Sequence, residues 1–388
     1  MTRRAEAAGE ELPLVSVVIP VLNEEAHIEE CLASVQAQDY PAERIEIVVA
    51  DGGSTDRTRA IVERIAVSDP RITLVDNPGR NQAAGLNRAI AASSGTIVAR
   101  LDGHAAWPAT HIRRCIDLLR KTGADNVGGT MLAIGDGTVA RVAAASTSSP
   151  FGIGGAHYRY ADVEMQTDTV FLGCFRRAAL ERVGGFDEQA APHEDYELNQ
   201  RIRATGGRII FSPTLPTTYW ARDSWRGLAR QFYRYGRAKA RVARGNPSVL
   251  RPYHLVPPAA VATLPILAAL CVRPAGRRLV AGVGGLYGAA CAVASAPAGR
   301  GQPLSVRALV PLAFPVLHAS WGAGFIAGLV SRGLDPGDAQ ALESAAGPKP
   351  RALPGPEGGR GAAPTPRAGR SRTAARLAEQ ARDAGPDS

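Results

Sequence analysis

Two acidic stretches, Asp102-Gly103-His104 and His193-Glu194-Asp195, carry the side chains best suited to chemistry. Asp102 follows Ile97-Val98-Ala99-Arg100-Leu101, an apolar run typical of a buried strand, so a carboxylate is delivered to a loop at the strand's carboxyl end. A carboxylate there can hold Mg²⁺ or Mn²⁺, which take oxygen ligands and bridge phosphate oxygens. His104 can add an imidazole, which Mn²⁺ accepts more readily than Mg²⁺ does. The other reading of Asp102 is a cap on the helix that follows. Glu194 and Asp195 open a helical segment, where they can complement its dipole or offer one general base to a substrate hydroxyl. No Ser-His-Asp order or Gly-x-Ser-x-Gly elbow offers a covalent route.

Upstream, Val15–Pro20 leads into Leu22, Asn23, Glu24 and Glu25, and Ile45–Ala50 ends in Asp51-Gly52-Gly53-Ser54-Thr55-Asp56. Three apolar strands ending in acidic or amide residues make a ligand crevice at the carboxyl edge of a sheet. With a base arriving from a separate segment, the combination points to group transfer from a nucleotide-linked donor. Gly52 and Gly53 permit close backbone approach, and Asp51 can accept hydrogen bonds from a base or ribose. Asp56 reads as a helix cap. Arg80 and Asn87 lie near and on the next helix, and Arg80 is open to two readings, a phosphate contact or a solvated arginine. In Gln231-Phe232-Tyr233-Arg234-Tyr235, the arginine can clamp a diphosphate, while the tyrosines can meet a sugar or rest at a headgroup level.

The elements that must position these residues alternate strand and helix over 14–125. Helices are expected at Glu25–Gln38, Asp56–Val67, Asn81–Ala92 and Pro108–Lys121, with a short strand at Arg71–Val75. This rhythm argues for an α/β fold with a mostly parallel sheet covered on both faces. Residues 126–250 are less regular. Strands are expected at Asn126–Leu132, Val170–Phe175 and Ile209–Phe211, and helices at Arg177–Val183, Asp195–Ala204 and Ser224–Arg244. Gly135–Gly155, rich in Gly, Ser and Ala, reads as a loop or a loose helix.

The 388 residues have room for about two domains. The net charge of +9 is not a nucleic-acid signature, because the arginines are dispersed and no basic helix is interleaved with aromatics. The densest basic run, Arg234 to Arg251, precedes a hydrophobic region and fits either anionic headgroups or a solvated helix face. Leu255–Val272, Leu279–Ala296 and Ala308–Val330 carry no Asp, Glu, Lys or Arg, and each nears or exceeds the ~20 residues that cross a bilayer. Arg273, Arg277 and Arg278 in the first connection leave the orientation ambiguous. The five cysteines form no CxxC and read as free thiols in a reducing compartment. Met1 to Leu12 lacks the apolar core of a signal peptide, so the catalytic part is expected in the cytoplasm. The expected organisation is a tail over 1–13, a donor half over 14–125, an acceptor half over 126–250, two to three membrane helices over 251–332 and a disordered tail over 333–388.

Val17-Val18-Ile19-Pro20-Val21-Leu22-Asn23-Glu24, Asp51 to Asp56, Leu101 to His104 and His193-Glu194-Asp195 together resemble the family 2 glycosyltransferases in order and spacing over about residues 14–250. Gly173-Cys174-Phe175-Arg176, Val183-Gly184-Gly185-Phe186-Asp187-Glu188 and the hydrophobic C-terminal region look most like the succinoglycan-type bacterial exopolysaccharide enzymes of that family. The resemblance implies a GT-A fold, which is Rossmann-like, followed by transmembrane helices, with an inverting mechanism and a divalent cation, Mg²⁺ or Mn²⁺. It implies that Pro20, Leu22, Asn23, Glu24, Asp51, Arg80, Asn87 and Asp102 bind the nucleotide sugar, that Asp102 and His104 meet the metal, and that Asp195 is the base with Glu194 beside it. Gln231, Arg234 and Tyr235, also expected to bind the nucleotide sugar, resemble the Gln-x-x-Arg-Trp motif of processive synthases, with Tyr in place of Trp, which weakens the case for chain extension. His104 stands where the second Asp of Asp-x-Asp is usual. The expected donor is a UDP-hexose and the expected acceptor a lipid-linked saccharide at the cell membrane, for exopolysaccharide or envelope glycan. A polyprenyl-phosphate glycosyltransferase and a non-catalytic, membrane-anchored sugar-nucleotide module are the alternatives.

Overall fold

The computed structural model describes residues 11–331 apart from 189, 191–193, 246, 248 and 249. His193, the expected C-terminal tail and most of the expected N-terminal tail lie outside the described residues. In chain order the elements are β1 (Val15–Val21), α1 (Ile28–Gln36), β2 (Ile45–Asp51), α2 (Thr58–Ser68), β3 (Ile72–Asp76), α3 (Gln82–Ala91), β4 (Ile97–Arg100), β5 (Ala105–Ala106) and α4 (His111–Thr122). Then come β6 (Asn126–Ile134), α5 (Thr138–Thr147), α6 (Pro150–Ile153), a 3-10 turn at His157–Arg159, β7 (Met165–Gln166), β8 (Phe171–Arg176), α7 (Arg177–Val183) and α8 (Glu194–Ala204). The chain continues through β9 (Ile209–Trp220), α9 (Trp225–Gly245), α10 (Pro252–Leu270), α11 (Pro274–Ala298) and α12 (Leu304–Val330).

The strands form one sheet in the order β3-β2-β1-β4-β8-β6-β9-β5, with β7 paired to β9. The first four are parallel, as the alternating rhythm of 14–125 requires. From β8 onward antiparallel pairs enter, so the sheet as a whole is mixed. β1 lies between two parallel neighbours and is buried along its length, because α1, α2 and α4 cover one face and α3, α7 and α8 the other. Its alternation sorts Val15, Val17, Ile19 and Val21 into one core and Val18 into the other.

Two departures from the expected elements have clear causes. β9 runs to Trp220 rather than ending at Phe211. Pro213 and Pro216, which argue against a strand, fall where the register with β6 jumps from Gly129↔Ser212 to Met131↔Thr217, so the missing N–H groups sit at an irregularity in the ladder. The Gly/Ser/Ala-rich segment is helical, as α5 and α6. Its small side chains let Val142, Ala143 and Ala145 pack with Val310, Phe314 and Leu317 of α12.

The helices α10, α11 and α12 are long and apolar enough to cross a membrane. Leu255, Val256, Leu264 and Ile266 on α10 and Leu279, Leu286 and Val293 on α11 face outward. Apolar surface on that scale suits contact with lipid. α12 instead packs closely along α9. A Cβ added at Gly324 would overlap the Tyr233 carbonyl, and one at Gly236 would overlap that of Trp321. Such contacts are what small residues at helix crossings permit. Gly324→Leu is therefore expected to destabilise the protein by about 2–3 kcal/mol, read as a lower Tm of the detergent-purified chain; an unchanged Tm would contradict this packing.

Candidate active site

Arg100 closes β4 and is only 3% exposed. A guanidinium so placed persists only if carboxylates surround it. Nε donates to Asp102 Oδ1 at 3.0 Å and Nη2 to Asp102 Oδ2 at 3.4 Å. Nη1 lies 3.2 Å from Glu194 Oε1 and also donates to Asp195 Oδ1. One side chain thus joins the edge of β4 to the start of α8, and brings the two acidic stretches of the sequence together. Sequence reasoning missed Arg100. Its signal was a lone charge in a run otherwise fit for burial on both faces.

Three carboxylates against one guanidinium leave a formal excess of two negative charges. Burial pushes the Asp195 carboxyl up to about 7, with Glu194 and Asp102 adding to the shift and Arg100 opposing it. Burial works against the Arg100 charge, but Asp102, Asp195 and Glu194 outweigh it and hold the guanidinium protonated. Glu194 is buried and its Oε2 has no hydrogen-bond partner, whereas the Asp195 side chain keeps 26% exposure. Asp195 is therefore the member of the pair open to a substrate.

The loops after β1 and β2 lock together on the neighbouring side of the sheet edge. Asn23, at φ 57°, donates its backbone N–H to Ser54 Oγ at 3.0 Å and accepts from the Thr55 N–H at 2.8 Å. The buried Asp51 accepts from the Ser54 hydroxyl at 2.6 Å and lies 3.5 Å from Arg59. Asp56, one residue before the Arg57 N-cap of α2, accepts from the Thr58 N–H at 2.9 Å and from the Glu25 N–H at 3.1 Å. Gly52 lies against Leu22 and Arg80, and Gly53 against the Arg80 guanidinium. Leu22, Asp51 and Arg80 thus share one loop cluster. Pro20 is buried and faces Gly85 of α3, so its side chain supports the strand rather than lining the crevice.

Asn87, expected at the nucleotide sugar, is bonded within the protein. Its Oδ1 accepts from the Phe186 N–H at 2.9 Å, and its Nδ2 donates to the Phe186 carbonyl at 2.9 Å and to Glu188 at 3.1 Å. Both ends of the amide clamp the turn after α7.

His104 connects the site to the membrane-proximal helix. Its Nδ1 bonds Glu24 Oε1 at 2.8 Å, and its ring meets Tyr219 edge-on at 5.3 Å. Burial opposes the imidazolium, but Glu24 raises it to about 9. Gln231 of α9 donates to the hydroxyls of Tyr219 at 3.3 Å and Tyr235 at 3.0 Å, and Arg234 is half-buried on the same helix.

The donor set suits a divalent cation in part. With Nδ1 committed to Glu24, Nε2 is the ring nitrogen left for a metal, which would have to displace the proton that Glu24 otherwise keeps on the imidazolium. The excess of two negative charges beside Asp102 matches a divalent ion. Among the described residues no three His, Cys, Asp or Glu side chains are grouped to enclose an ion, so phosphate oxygens of a substrate would complete the ligand set.

Fold and site define a GT-A glycosyltransferase. A model of glycosyl transferase family 2 matches residues 16–184, and one of glycosyl transferase family 21 matches residues 165–335. The chain is 33% identical over 316 residues to the succinoglycan biosynthesis protein ExoA of Rhizobium meliloti (strain 1021), covering 80% of this chain and 93% of that one. It is 27% identical over 238 residues to a dolichyl N-acetyl-alpha-D-glucosaminyl phosphate 3-beta-D-2,3-diacetamido-2,3-dideoxy-beta-D-glucuronosyltransferase of Methanococcus voltae, covering 59% and 74%. Among solved structures, a Pyrobaculum calidifontis mannosyltransferase in complex with GDP-Man and Mn²⁺ superposes with a TM-score of 0.58 at 24% identity, covering 83% of this chain and 88% of that one. The chain belongs to glycosyl transferase family 2.

Arg100→Met would leave two buried carboxylates, Asp102 and Glu194, and the partly exposed Asp195 without their cation. The expected loss is about 3–5 kcal/mol at neutral pH. Orphaned carboxylates bind protons more readily in the folded chain than in the unfolded one, so the deficit shrinks as pH falls. Tm measured against pH for both proteins checks it; a deficit that grows in acid would contradict the arrangement.

Proposed function

We propose that this chain moves a hexosyl group, with inversion, from a UDP-sugar to a hydroxyl of a lipid-linked saccharide in exopolysaccharide or envelope glycan synthesis. The observation that carries the reading is the Arg100 cluster, which fixes an accessible carboxylate, Asp195, beside Asp102. The donor half is 14–125, where Asn23, Glu24, Asp51 and Arg80 surround the nucleotide. The acceptor half is 126–250, with Gln231, Arg234 and Tyr235 on its membrane side. The catalytic part is cytoplasmic and α10 to α12 make the protein multi-pass. The relation to a succinoglycan biosynthesis protein over most of both chains supports the pathway class.

In the reaction, Asp195 takes the proton of the acceptor hydroxyl as its oxygen bonds to the anomeric carbon. The bond from that carbon to the phosphate oxygen breaks on the opposite face, and its electron pair leaves with the nucleoside diphosphate. An α-linked donor gives a β-glycoside. Arg100 holds Asp195 through one oxygen and leaves the other for the hydroxyl. Glu194, with its partnerless oxygen, keeps the local field negative and so favours the protonated product state of the base. Asp102 and His104 would hold Mg²⁺ or Mn²⁺, which supplies charge neutralisation for the departing diphosphate.

Asp195→Asn is expected to lower sugar transfer by about 10²–10⁴-fold while UDP binding is kept. For the unsubstituted enzyme, kcat/KM should fall as pH drops through about 7, because protonation removes the base. Transfer assays with detergent-purified protein and labelled UDP-, GDP- and dTDP-sugars measure both, and NMR of the product gives its anomeric configuration. Retention of configuration would overturn the single-displacement scheme; transfer that survives Asp195→Asn would point to a phosphate acceptor, which needs no base.

A further inference from the structure

Two cations near the site are buried without a carboxylate partner among the described residues. Arg159, in the 3-10 turn after α6, is 8% exposed, and Lys239 on α9 is 7% exposed. Each rests over a tyrosine ring, Arg159 over Tyr158 at 5.7 Å and Lys239 over Tyr196 at 3.9 Å. A buried charge normally carries a counter-ion. The carboxylate whose charge Lys239 feels, Asp168, is already bridged by Arg203 at 3.0 Å and Arg251 at 3.2 Å. Three cations, Lys239, Arg203 and Arg251, therefore stand around one carboxylate, and burial lowers the Lys239 ammonium to about 8.

The placement of these groups narrows what anion they would take. The Arg159 charge is felt by the hydroxyls of Tyr219 and Tyr235, and Lys239 lies one helical turn beyond Tyr235 on α9. Tyr196 directly follows Asp195. The cations thus border the acceptor side of the base, whereas Asp51 and Arg80 form a separate cluster with Gly52 and Gly53. Arg251 immediately precedes α10, a helix apolar enough to enter lipid. Tyr253, in the first turn of α10, packs on Gly154 and Gly155, and so ties the segment that carries Arg159 to the start of α10.

We propose that Arg159, Lys239 and Arg251 form a binding site for the phosphate or diphosphate that joins the acceptor saccharide to its lipid carrier. The proposal rests on the reading of the acceptor as lipid-linked. The phosphate replaces the missing counter-ion, the lipid chain leaves along α10, and the saccharide is directed past Tyr196 to Asp195. The tyrosine rings under both cations keep them in place when no anion is bound.

The test is a titration of the full-length chain in detergent micelles, without donor, using short-chain polyprenyl phosphate and diphosphate, the matching polyprenol, phosphatidylglycerol, and UDP with Mn²⁺. The phosphorylated lipids should bind more tightly than the polyprenol. Arg159→Gln and Lys239→Gln should each weaken them about ten- to a hundred-fold and leave UDP affinity unchanged, with Arg159→Lys recovering part of the loss. Equal binding of polyprenol and polyprenyl phosphate overturns the site with no variant needed. Equal weakening of UDP assigns the cations to the donor, and equal behaviour of phosphatidylglycerol reduces them to general headgroup attraction; either result overturns the proposal. The catalytic reading fails separately: phosphate-selective binding with no sugar transfer would sink that reading and leave this site standing. Transfer whose acceptor KM is unmoved by Arg159→Gln would sink this site and leave the catalysis.

Discussion

A buried guanidinium with three carboxylates around it is the constraint on which the rest of the site depends. Arg100 reaches the end of β4 because the strand is otherwise apolar and sealed by helices on both faces. Having no water, it must find carboxylates, and those come from its own loop and from the start of α8. The position of α8 is therefore set by electrostatics as well as by Leu198 and Ile202 in the core. Asn87 completes the arrangement by fixing the turn from which the chain runs toward α8. Without these two polar anchors, apolar packing alone would allow α8 to slide, and a base must be placed to within hydrogen-bond reach of its proton.

A second line of contacts ties the site to the lipid-facing part of the molecule. His104 meets Tyr219, Tyr219 accepts from Gln231, and Gln231 belongs to a helix whose glycine contacts seat it on α12. The apolar helices and the crevice are thus mechanically continuous. α12 contributes through its buried share, which far exceeds that of α10 or α11. In the proposed reaction a lipid-borne acceptor and a soluble donor meet at one carbon atom, and a rigid path from membrane helix to catalytic loop would fix the height of that meeting point.

The parallel half of the fold was legible in the sequence because strands buried on both faces must be apolar runs, and the helices between them repeat apolar residues at helical spacing. The second half was less so. β9 carries two prolines that count against a strand until the irregularity in its pairing with β6 is seen. α5 and α6 are built from small residues because α12 lies on them, and composition alone does not separate such helices from a loop. In the site, Asp102 and Asp195 were legible as acidic residues at element ends, but the agent that unites them was not. Arg100 is two residues from Asp102 in sequence and far from Asp195, so only the fold shows that they share a partner. The backbone clamp made by Asn87 was hidden for a related reason: an amide on a helix near a crevice looks the same in sequence whether it meets a ligand or a backbone.

The charge distribution gives the two substrates different greetings. Around Arg100 the carboxylates outnumber the guanidinium by a formal two charges, which in the proposed reaction would repel a bare nucleoside diphosphate and accept one accompanied by a divalent cation. Beside Tyr158 and Tyr196, Arg159 and Lys239 are buried over the tyrosine rings with no carboxylate partner among the described residues. In the proposed reaction, opposite signs on either side of Asp195 would orient a donor whose charge is masked by metal and an acceptor whose charge is not. Such complementarity selects substrates by their ionic state before any sugar hydroxyl is recognised.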